Sequence, residues 1–500
     1  MGVEMAREEI QAVQHTSGNS MLVEDIKQLQ LASHALELRA NPRSDLFEII
    51  TQYAAQYLDG IDTAPAYSAP TEQATFLEKA SIADEGVDIE QVLDLLSQHV
   101  DSVGINTTSG RFLGFIPGGA LVYSAMGDFL AAIANRYAGL YHASPGAVTI
   151  ENSLLKWLAN VLEYPESASG NLASGGSLAN LTAIITARDA YGIVGNVIPR
   201  AVVYLTDQVH HCIGKALHVA GLSQSIQRTV SVDDHYRMEP EALEALIKAD
   251  KQAGLQPWMV IASAGTTNTG AVDPLRQIGE IAAAHGLWYH IDGAYGGLFK
   301  LCPEGQAILK GTEFSDSIVV DPHKTLFLPY GTGAVLIKNA RKQFAAFNAD
   351  ADYMESVHDN NELSSADLSP ELTKHFRGLR LWLPLKLLGV HPFRAALSEK
   401  IALARYFYEQ IQQVPGFEVG PSPDLSVVTY HYVPSHGDVN DFNQRLMEAL
   451  HREGTIYISS TRLDGQLMLR AAIMSFRTHL EDIEAAISRL SYHAQQLAKT

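Results

Sequence analysis

Lys324 is the residue whose position in the sequence most clearly indicates chemistry. It ends the run Asp321-Pro322-His323-Lys324, which follows the apolar residues 317–320. A lysine at the end of a buried strand is costly as a cation, so it pairs with an anion, loses its proton or is consumed as an imine. The sequence therefore predicts a Schiff-base lysine at position 324.

Three other segments carry side chains that suit the same chemistry. The Ser/Gly-rich run 174–177 opens a helical pattern, where free N–H groups can face an anion. Asp292 ends a predicted strand, where open α/β sheets place their ligands, and its carboxylate can keep a pyridine nitrogen protonated. His210 can stack on a ring. Together with Lys324, these segments predict a site for pyridoxal 5′-phosphate.

Further residues are expected to contact this cofactor. They are Gly176 and Ser177 in the Gly-rich run, Thr267 as a hydrogen-bond donor, Ala294 against the ring face, and His323 at phosphate or substrate. Each motif alone has a structural alternative: an ordinary turn, a strand-end cap at Asp292, or a buried histidine at 210. Their occurrence together with Lys324 favours the cofactor site.

The elements that must position these residues follow from the apolar pattern. Between about 120 and 390, short β-rich runs alternate with helical patterns, which predicts a mainly parallel α/β sheet. Asp273, Pro274 and Gly286 are expected to delimit one helix as N-cap, first residue and left-handed C-terminal residue. The predicted domains are a helical dimerisation arm (1–120), a large cofactor-binding domain (121–393) and a small α+β domain (394–500).

Composition limits the class of protein. The 500 residues are 46% hydrophobic and 18% charged, as in a globular enzyme with a large core. The net charge of −20 opposes binding to nucleic acid or anionic membranes, and no apolar run could span a bilayer. The polar, acidic start predicts a cytoplasmic protein. Cys212 and Cys302 fit neither a disulfide framework nor a metal site, and are expected to be buried.

With these motifs in order, the chain resembles the pyridoxal-phosphate-dependent group II amino acid decarboxylases, which include aromatic amino acid, histidine and glutamate decarboxylases. The resemblance spans roughly residues 110–480. It is carried by Ser144-Pro145, Ser174 to Asn180, Asp207 to His210, Gly265 to Gly270, Asp292 to Gly297, Asp321 to Lys324 and Phe376 to Trp382.

The resemblance implies a type I aminotransferase-like fold and a homodimer with its site at the interface. It implies that Lys324 forms the imine with the cofactor, Asp292 pairs with the pyridine nitrogen and His210 stacks on the ring. Gly176, Ser177, Thr267 and Asp321 then lie near phosphate or ring. Ile116, Pro117 and Gly118 would line the substrate pocket, in one arrangement from the partner subunit. Arg470 matches an arginine that binds a substrate carboxylate in some relatives; the alternative is an ion pair at a strand end.

One position departs from the family pattern. Members of the aromatic branch carry a loop tyrosine that returns a proton to the substrate carbon, and counting back from Phe376 places Ser365 there. The acidic segment 348–372 is expected to be a mobile lid, in which Tyr353 matches a different family tyrosine. The proton donor is therefore unassigned. Either another group such as His358 acts, or an oxygen-dependent aldehyde is formed.

The expected activity is decarboxylation of an L-amino acid, with an aromatic one as a candidate, to the amine and carbon dioxide. The alternatives are a carbon–carbon lyase acting on a phosphorylated amino alcohol, a transaminase, an aldehyde synthase, and a binding protein without turnover.

Overall fold

In a computed structural model of the chain, residues 21–70, 82–348 and 363–499 are described. The chain divides into two units, one of residues 1–63 and 77–98 and the other of 64–76 and 99–500. In the first unit, residues 21–33 are helical. Two further helices follow, α1 (Ala40–Gly60) and α2 (Ile89–Leu96). These helices fall within the residues predicted as a helical arm.

The β-rich runs of the second unit form a central sheet of seven strands. Three short strands precede it: β1 (Tyr67–Ser68), β2 (Gly104–Ile105) and β3 (Phe112–Leu113). The central strands are β4 (Ser169–Ala173), β5 (Ala201–Leu205), β6 (Ile226–Thr229), β7 (Gln256–Ser263), β8 (Trp288–Asp292), β9 (Ser317–Val320) and β10 (Gly333–Ile337). Their order is β4-β10-β9-β8-β7-β5-β6, and β10 alone runs opposite to the other six strands. The mainly parallel α/β fold is confirmed.

Both faces of this sheet are buried, which explains the continuous apolar runs. Along β8, Trp288 packs into one apolar cluster, whereas Tyr289 and Ile291 pack into another. Successive side chains of a strand point to opposite faces, so a strand covered on both sides needs apolar residues at every position. His290 and Asp292 lie on the same face as Trp288 and are polar exceptions to this apolar pattern.

Helices cover the sheet, and a second sheet completes the unit. The helices are α3 (Val122–Ala134), α4 (Pro145–Val161), α5 (Gly176–Ala190), α6 (Cys212–Val219), α7 (Pro240–Gln252), α8 (Leu275–His285), α9 (Pro303–Ile308), α10 (Pro322–Thr325), α11 (Ala340–Phe347), α12 (Gly378–Leu388), α13 (His391–Ile411), α14 (Val439–Glu453) and α15 (Leu480–Leu497). The strands β11 (Phe417–Val419), β12 (Val427–Tyr432), β13 (Tyr457–Leu463) and β14 (Gln466–Ala472) join β3 in the order β11-β12-β14-β13-β3.

The start of α8 differs from the prediction. Its N-cap is Pro274 and it begins at Leu275, one residue later than expected. Asp273 instead accepts hydrogen bonds from the backbone N–H groups of Met238 and Ser263. The residue is structural, as expected, but it joins distant segments because both backbone donors need a buried acceptor. Gly286 ends the helix in the left-handed conformation, as predicted.

The predicted lid is wrong over residues 363–372. A short 3-10 helix at Ser365–Leu368 is buried here, and the Ser365 hydroxyl donates to the carbonyl of Ala138 at 2.9 Å. The polar side chains of this stretch find internal partners, so its low apolar content did not keep it out of the core. Tyr353 and His358 lie outside the described residues.

Candidate active site

The segments singled out in the sequence meet at one edge of the central sheet. Because β10 is antiparallel to both β4 and β9, strands β4, β5, β7, β8 and β9 end at the same edge. A cavity of about 380 Å³ lies there, within the range of roughly 300–1,000 Å³ usual for small-molecule sites. Its lining includes all nine residues expected to contact the cofactor: Gly176, Ser177, His210, Thr267, Asp292, Ala294, Asp321, His323 and Lys324.

Lys324 lies in the short helix α10, with its Nζ 3.0 Å from Oδ2 of Asp321. Burial opposes the charged amine, but the carboxylates of Asp321 and Asp292 outweigh burial and raise the pKa of Lys324. Asp321 is buried, and its Oδ1 has no hydrogen-bond partner in the described part of the chain. A buried acceptor without a donor is expected where a ligand supplies one.

The Gly-rich turn forms a cradle at the start of α5. A Cβ atom on Gly176 would lie 3.0 Å from Oδ2 of Asp321 and 3.2 Å from Cβ of Ala294. The first N–H groups of this helix have no partner within the helix, and Ser177 and Thr267 add hydroxyl groups at the cavity wall. This combination suits a phosphate group.

Asp292 projects into the cavity from the end of β8 and is 8% exposed. The backbone N–H of Ala294 donates to its Oδ1 at 3.1 Å, and Nδ2 of Asn180 donates to its Oδ2 at 3.3 Å. These donors fix an anionic group inside the site. Such a group can hold a proton on a heterocyclic nitrogen.

His210 is held by its own turn. The backbone N–H of Cys212 donates to Nδ1 at 3.3 Å, which leaves the proton of a neutral imidazole on Nε2. Burial and the neighbouring His211 lower the pKa of His210, against the opposing effect of Asp292. A neutral ring is suited to stacking. His211, which the sequence did not support as a ligand, is exposed.

His323 is fixed by the residue that precedes β10. Its Nδ1 donates to the carbonyl of Thr332 at 2.7 Å, and its Nε2 lies 3.8 Å from Asp321. Burial lowers the pKa of His323, although Asp321 opposes this change.

These residues fit pyridoxal 5′-phosphate. The start of α5 suits the phosphate, Asp292 suits the pyridine nitrogen, and Lys324 supplies the amine for the covalent link.

The four residues expected at the substrate do not line this cavity. Ile116, Pro117 and Gly118 lie between β3 and α3, where a Cβ on Gly118 would lie 3.1 Å from the ring of Tyr330. Arg470 lies in β14, 3% exposed, and its Nη1 donates to Oγ of Ser459 at 3.1 Å. Burial lowers the pKa of Arg470 to about 10. Its Nε and Nη2 have no hydrogen-bond partner among the described residues, and no carboxylate there pairs with it.

Some residues at the cavity were not predicted. Cys212 is buried, as expected, but it also lines the cavity, and burial raises the pKa of its thiol to about 12. Tyr295 packs against Gly265, whose φ of +98° and contact with the ring exclude a side chain. Asn180, one helical turn after Gly176, also lines the site. The i, i+4 spacing from Gly176 is the feature of the sequence that could have predicted Asn180 as a site residue.

The described residues also bear on metal binding and on membrane insertion. Within residues 21–70, 82–348 and 363–499, no group of three or more acidic, cysteine or histidine side chains could hold a metal ion. Over the same ranges, no helix is both long and apolar enough to cross a bilayer.

Known proteins share both the sequence and the fold. The aromatic-L-amino-acid decarboxylase of Bacillus atrophaeus is 34% identical over 424 residues, which cover 84% of this chain and 88% of that protein. The phenylacetaldehyde synthase of Arabidopsis thaliana is 28% identical over 90% of this chain and 95% of its own. The crystal structure of Catharanthus roseus tryptophan decarboxylase in complex with L-tryptophan superposes with a TM-score of 0.83 at 25% identity, covering 92% of this chain and 99% of that one.

The fold of that structure agrees with the type I architecture expected from the sequence. Residues 70–433 match the family model described as the pyridoxal-dependent decarboxylase conserved domain. The cofactor is therefore pyridoxal 5′-phosphate, and the chain belongs to the pyridoxal-dependent decarboxylase family of carboxy-lyases that act on amino acids.

Proposed function

We propose that this carboxy-lyase converts an aromatic L-amino acid to its amine and carbon dioxide. The observation that carries the proposal is the convergence of Lys324, Asp292 and His210 on one cavity. The preference for an aromatic side chain is supported by the relatives named for aromatic substrates or products.

Each residue in this proposal has a defined task. Lys324 would hold the cofactor covalently, and its amine, when free, would act as a local base. Asp292 would keep a proton on the pyridine nitrogen, and the imidazole of His210 would stack on the ring. When bound, pyridoxal phosphate supplies the electron sink for the electrons left by departing carbon dioxide. Gly176, Ser177 and Thr267 hold the phosphate.

The substrate is identified by a screen of the purified holoenzyme against the common amino acids. We expect equal amounts of carbon dioxide and amine, with aromatic amino acids turned over fastest. Lys324→Ala serves as the control without turnover. A keto acid with pyridoxamine phosphate would contradict decarboxylation in favour of transamination, and turnover of acidic amino acids alone would contradict the aromatic preference.

Aldehyde formation is a second candidate, favoured by the residue at the tyrosine position. Ser365, which the count from Phe376 places at that position, is buried, does not line the cavity, and donates its hydroxyl proton to the carbonyls of Ala138 and Gly139. A similar protein is a phenylacetaldehyde synthase. In this reaction the amino acid, oxygen and water give the aldehyde, carbon dioxide, ammonia and hydrogen peroxide. Oxygen uptake matched to peroxide and aldehyde yields would favour it, whereas amine without oxygen uptake would contradict it.

We also propose that two copies of the chain assemble. In the first unit the helical residues 21–33 leave large apolar side chains in solvent, with Met21 73%, Leu29 71% and Leu31 66% exposed. Apolar surface of this kind marks an interaction site. In such a homodimer, Ile116, Pro117 and Gly118 of one subunit would reach the substrate in the other, and Arg470 would meet an anionic group.

We further propose that the protein is located in the cytoplasm. Cell fractionation tests this location.

A further inference from the structure

A chain of buried hydrogen bonds runs from the core to Asp292. Nε1 of Trp288 donates to Oγ of Ser317 at 2.8 Å. Nδ1 of His290 lies 2.8 Å from the same Oγ, and its Nε2 lies 2.7 Å from Oδ1 of Asn180. Nδ2 of Asn180 then donates to Asp292 at 3.3 Å. Trp288 is 1% exposed, and Ser317, His290 and Asn180 are fully buried.

The sheet explains why these residues meet. Trp288, His290 and Asp292 alternate along β8 and therefore share one face. Ser317 is the neighbour of His290 on β9. Asn180 reaches the same face from α5, the helix that begins at the phosphate cradle. The chain thus joins the two elements that carry the ring and phosphate sites.

The direction of every hydrogen bond in this chain is fixed. The carboxylate of Asp292 can only accept, so Asn180 turns its Nδ2 toward it and its Oδ1 toward Nε2 of His290. Nδ1 of His290 therefore accepts from the hydroxyl of Ser317, which in turn accepts from the indole of Trp288. The imidazole then carries its proton on Nε2 and donates to Oδ1 of Asn180. The amide of Asn180 has only donors left for the carboxylate of Asp292. The reverse orientation of this amide would place two acceptors together.

The charge of the imidazole agrees with this assignment. Burial lowers the pKa of His290 to about 4, although Asp292 opposes the change, so the ring is neutral near pH 7. A neutral imidazole has one N–H, which the chain uses toward Asn180.

We propose that Asn180 and His290 are positioning residues that aim the Asp292 carboxylate at the pyridine nitrogen and keep it as a hydrogen-bond acceptor. In this role they act through Asp292, to which Asn180 donates directly and His290 through Asn180. Comparable outer partners of binding groups change function by roughly 10–100-fold when removed. This inference rests on the proposed function, in which Asp292 faces that nitrogen.

The first test is Asn180→Leu in the holoenzyme. The substitution keeps the volume and removes the donor, so we expect kcat to fall by roughly 10–100-fold with KM nearly unchanged. The direct readout is nitrogen NMR of bound pyridoxal 5′-phosphate labelled at its ring nitrogen, which should move toward the unprotonated position. Thr186→Val is the matched control, since its equally buried hydroxyl bonds only to the carbonyl of Thr182 in the same helix.

A second pair of variants covers the case in which Asn180→Leu does not fold. Gln at position 290 can place an N–H close to the position of the imidazole Nε2–H, whereas Leu cannot. We therefore expect His290→Gln to retain the protonated ring signal and His290→Leu to lose it.

Loss of thermal stability with an unchanged ring-nitrogen signal, in Asn180→Leu or in both variants at 290, would overturn the positioning role. Failure of the positioning role can be distinguished from failure of the proposed function. If the parent protein binds the cofactor with a protonated ring but releases no carbon dioxide, the proposed reaction is wrong and the positioning role remains.

Discussion

At the residue scale, the candidate site consists of charged groups that are costly to bury and that compensate one another. Lys324 lies against Asp321, and Asp292 accepts from a backbone amide and from Asn180. Each of these contacts gives a buried polar or charged group a partner, which lowers the cost of burying it. The charges are thereby available for the cofactor.

The amine of Lys324 gives the most direct prediction. Borohydride reduction of the holoenzyme should fix the cofactor onto Lys324, because this lysine alone lines the cavity in the described part of the chain. Lys324→Ala should lose the label while retaining weaker, reversible cofactor binding through the start of α5. Peptide mapping by mass spectrometry locates the label, and its appearance on another lysine would contradict the assignment.

The carboxylate of Asp292 should matter to chemistry more than to folding. Asp292→Asn keeps the shape but cannot stabilise a pyridinium charge, so turnover should fall by about a hundredfold or more, as for the loss of a preorganised electrostatic group. Steady-state kinetics with the cofactor fully bound measure this loss. Turnover at the parental rate in that state would show that Asp292 is not the ring partner.

The neutral imidazole of His290 makes stability depend on pH. Its pKa is near 6.5 when unfolded and about 4 when folded, so from pH 6.5 to 4 the unfolded chain binds more protons. The free energy of unfolding therefore falls as the pH falls, by roughly 3 kcal/mol at pH 4. Denaturant unfolding should show that His290→Gln lacks this loss. Asp273, whose pKa burial raises to about 6, has the opposite effect but is present in both proteins. Parallel pH curves for the two proteins would contradict the assignment.

At the scale of elements, the site depends on parallel strands that end together and on one helix that begins there. The first residue of α5, Gly176, lies against Asp321 and Ala294, so the helix start and the end of β9 are in contact. A glycine is needed because the backbone, and not a side chain, forms this wall of the cavity.

Gly176→Ala tests that close approach. The added methyl group would lie 3.0 Å from Asp321 Oδ2, and overpacking of about 1–3 kcal/mol corresponds to a cofactor affinity weakened roughly 5- to 150-fold. Titration of the apoenzyme with pyridoxal 5′-phosphate measures the change. Gly214→Ala is the control, since it lies in α6 with no atom within 4 Å of its added Cβ. Equal cofactor affinities of the Gly176→Ala and Gly214→Ala proteins would show that the start of α5 does not hold the phosphate.

At the scale of the whole molecule, the chain consists of a helical first unit and an α/β second unit. The second unit contains both sheets, and β3 joins the C-terminal strands across a long separation in sequence. The domain boundaries at 120 and 393 stay predictions. The first unit, with its exposed apolar helix surface, is the part of the molecule that a second copy would cover.

Light scattering after gel filtration should give twice the chain mass of 54.4 kDa. Ile26→Asp together with Leu29→Asp should shift the protein toward monomer, because both side chains are exposed and apolar, at 53% and 71%. Gln28→Asp adds a charge to the same helix without removing apolar surface and should leave the mass unchanged. A monomeric parent, or a double variant with unchanged mass, would argue against this interface.

The amino-acid sequence by itself determined the sheet and the chemistry-bearing positions at its edge. Strands at 201–205, 317–320 and 333–337 could be predicted because burial on both faces demands continuous apolar residues, a local requirement. Lys324 and Asp292 stood out because charged residues directly after such runs are costly. By contrast, β4, with its polar sequence Ser-Gly-Asn-Leu-Ala, gave no such signal.

Only the tertiary structure decided which polar groups satisfy one another. Asp273 bonds to Met238 and Ser263, residues 363–372 fold inward through Ser365, and Asn180 connects His290 to Asp292. Each contact joins residues far apart in sequence, and each exists because a buried donor or acceptor must find a partner wherever the fold supplies one. Periodicity and residue type report burial along the chain, but they carry no record of which distant partner will be near.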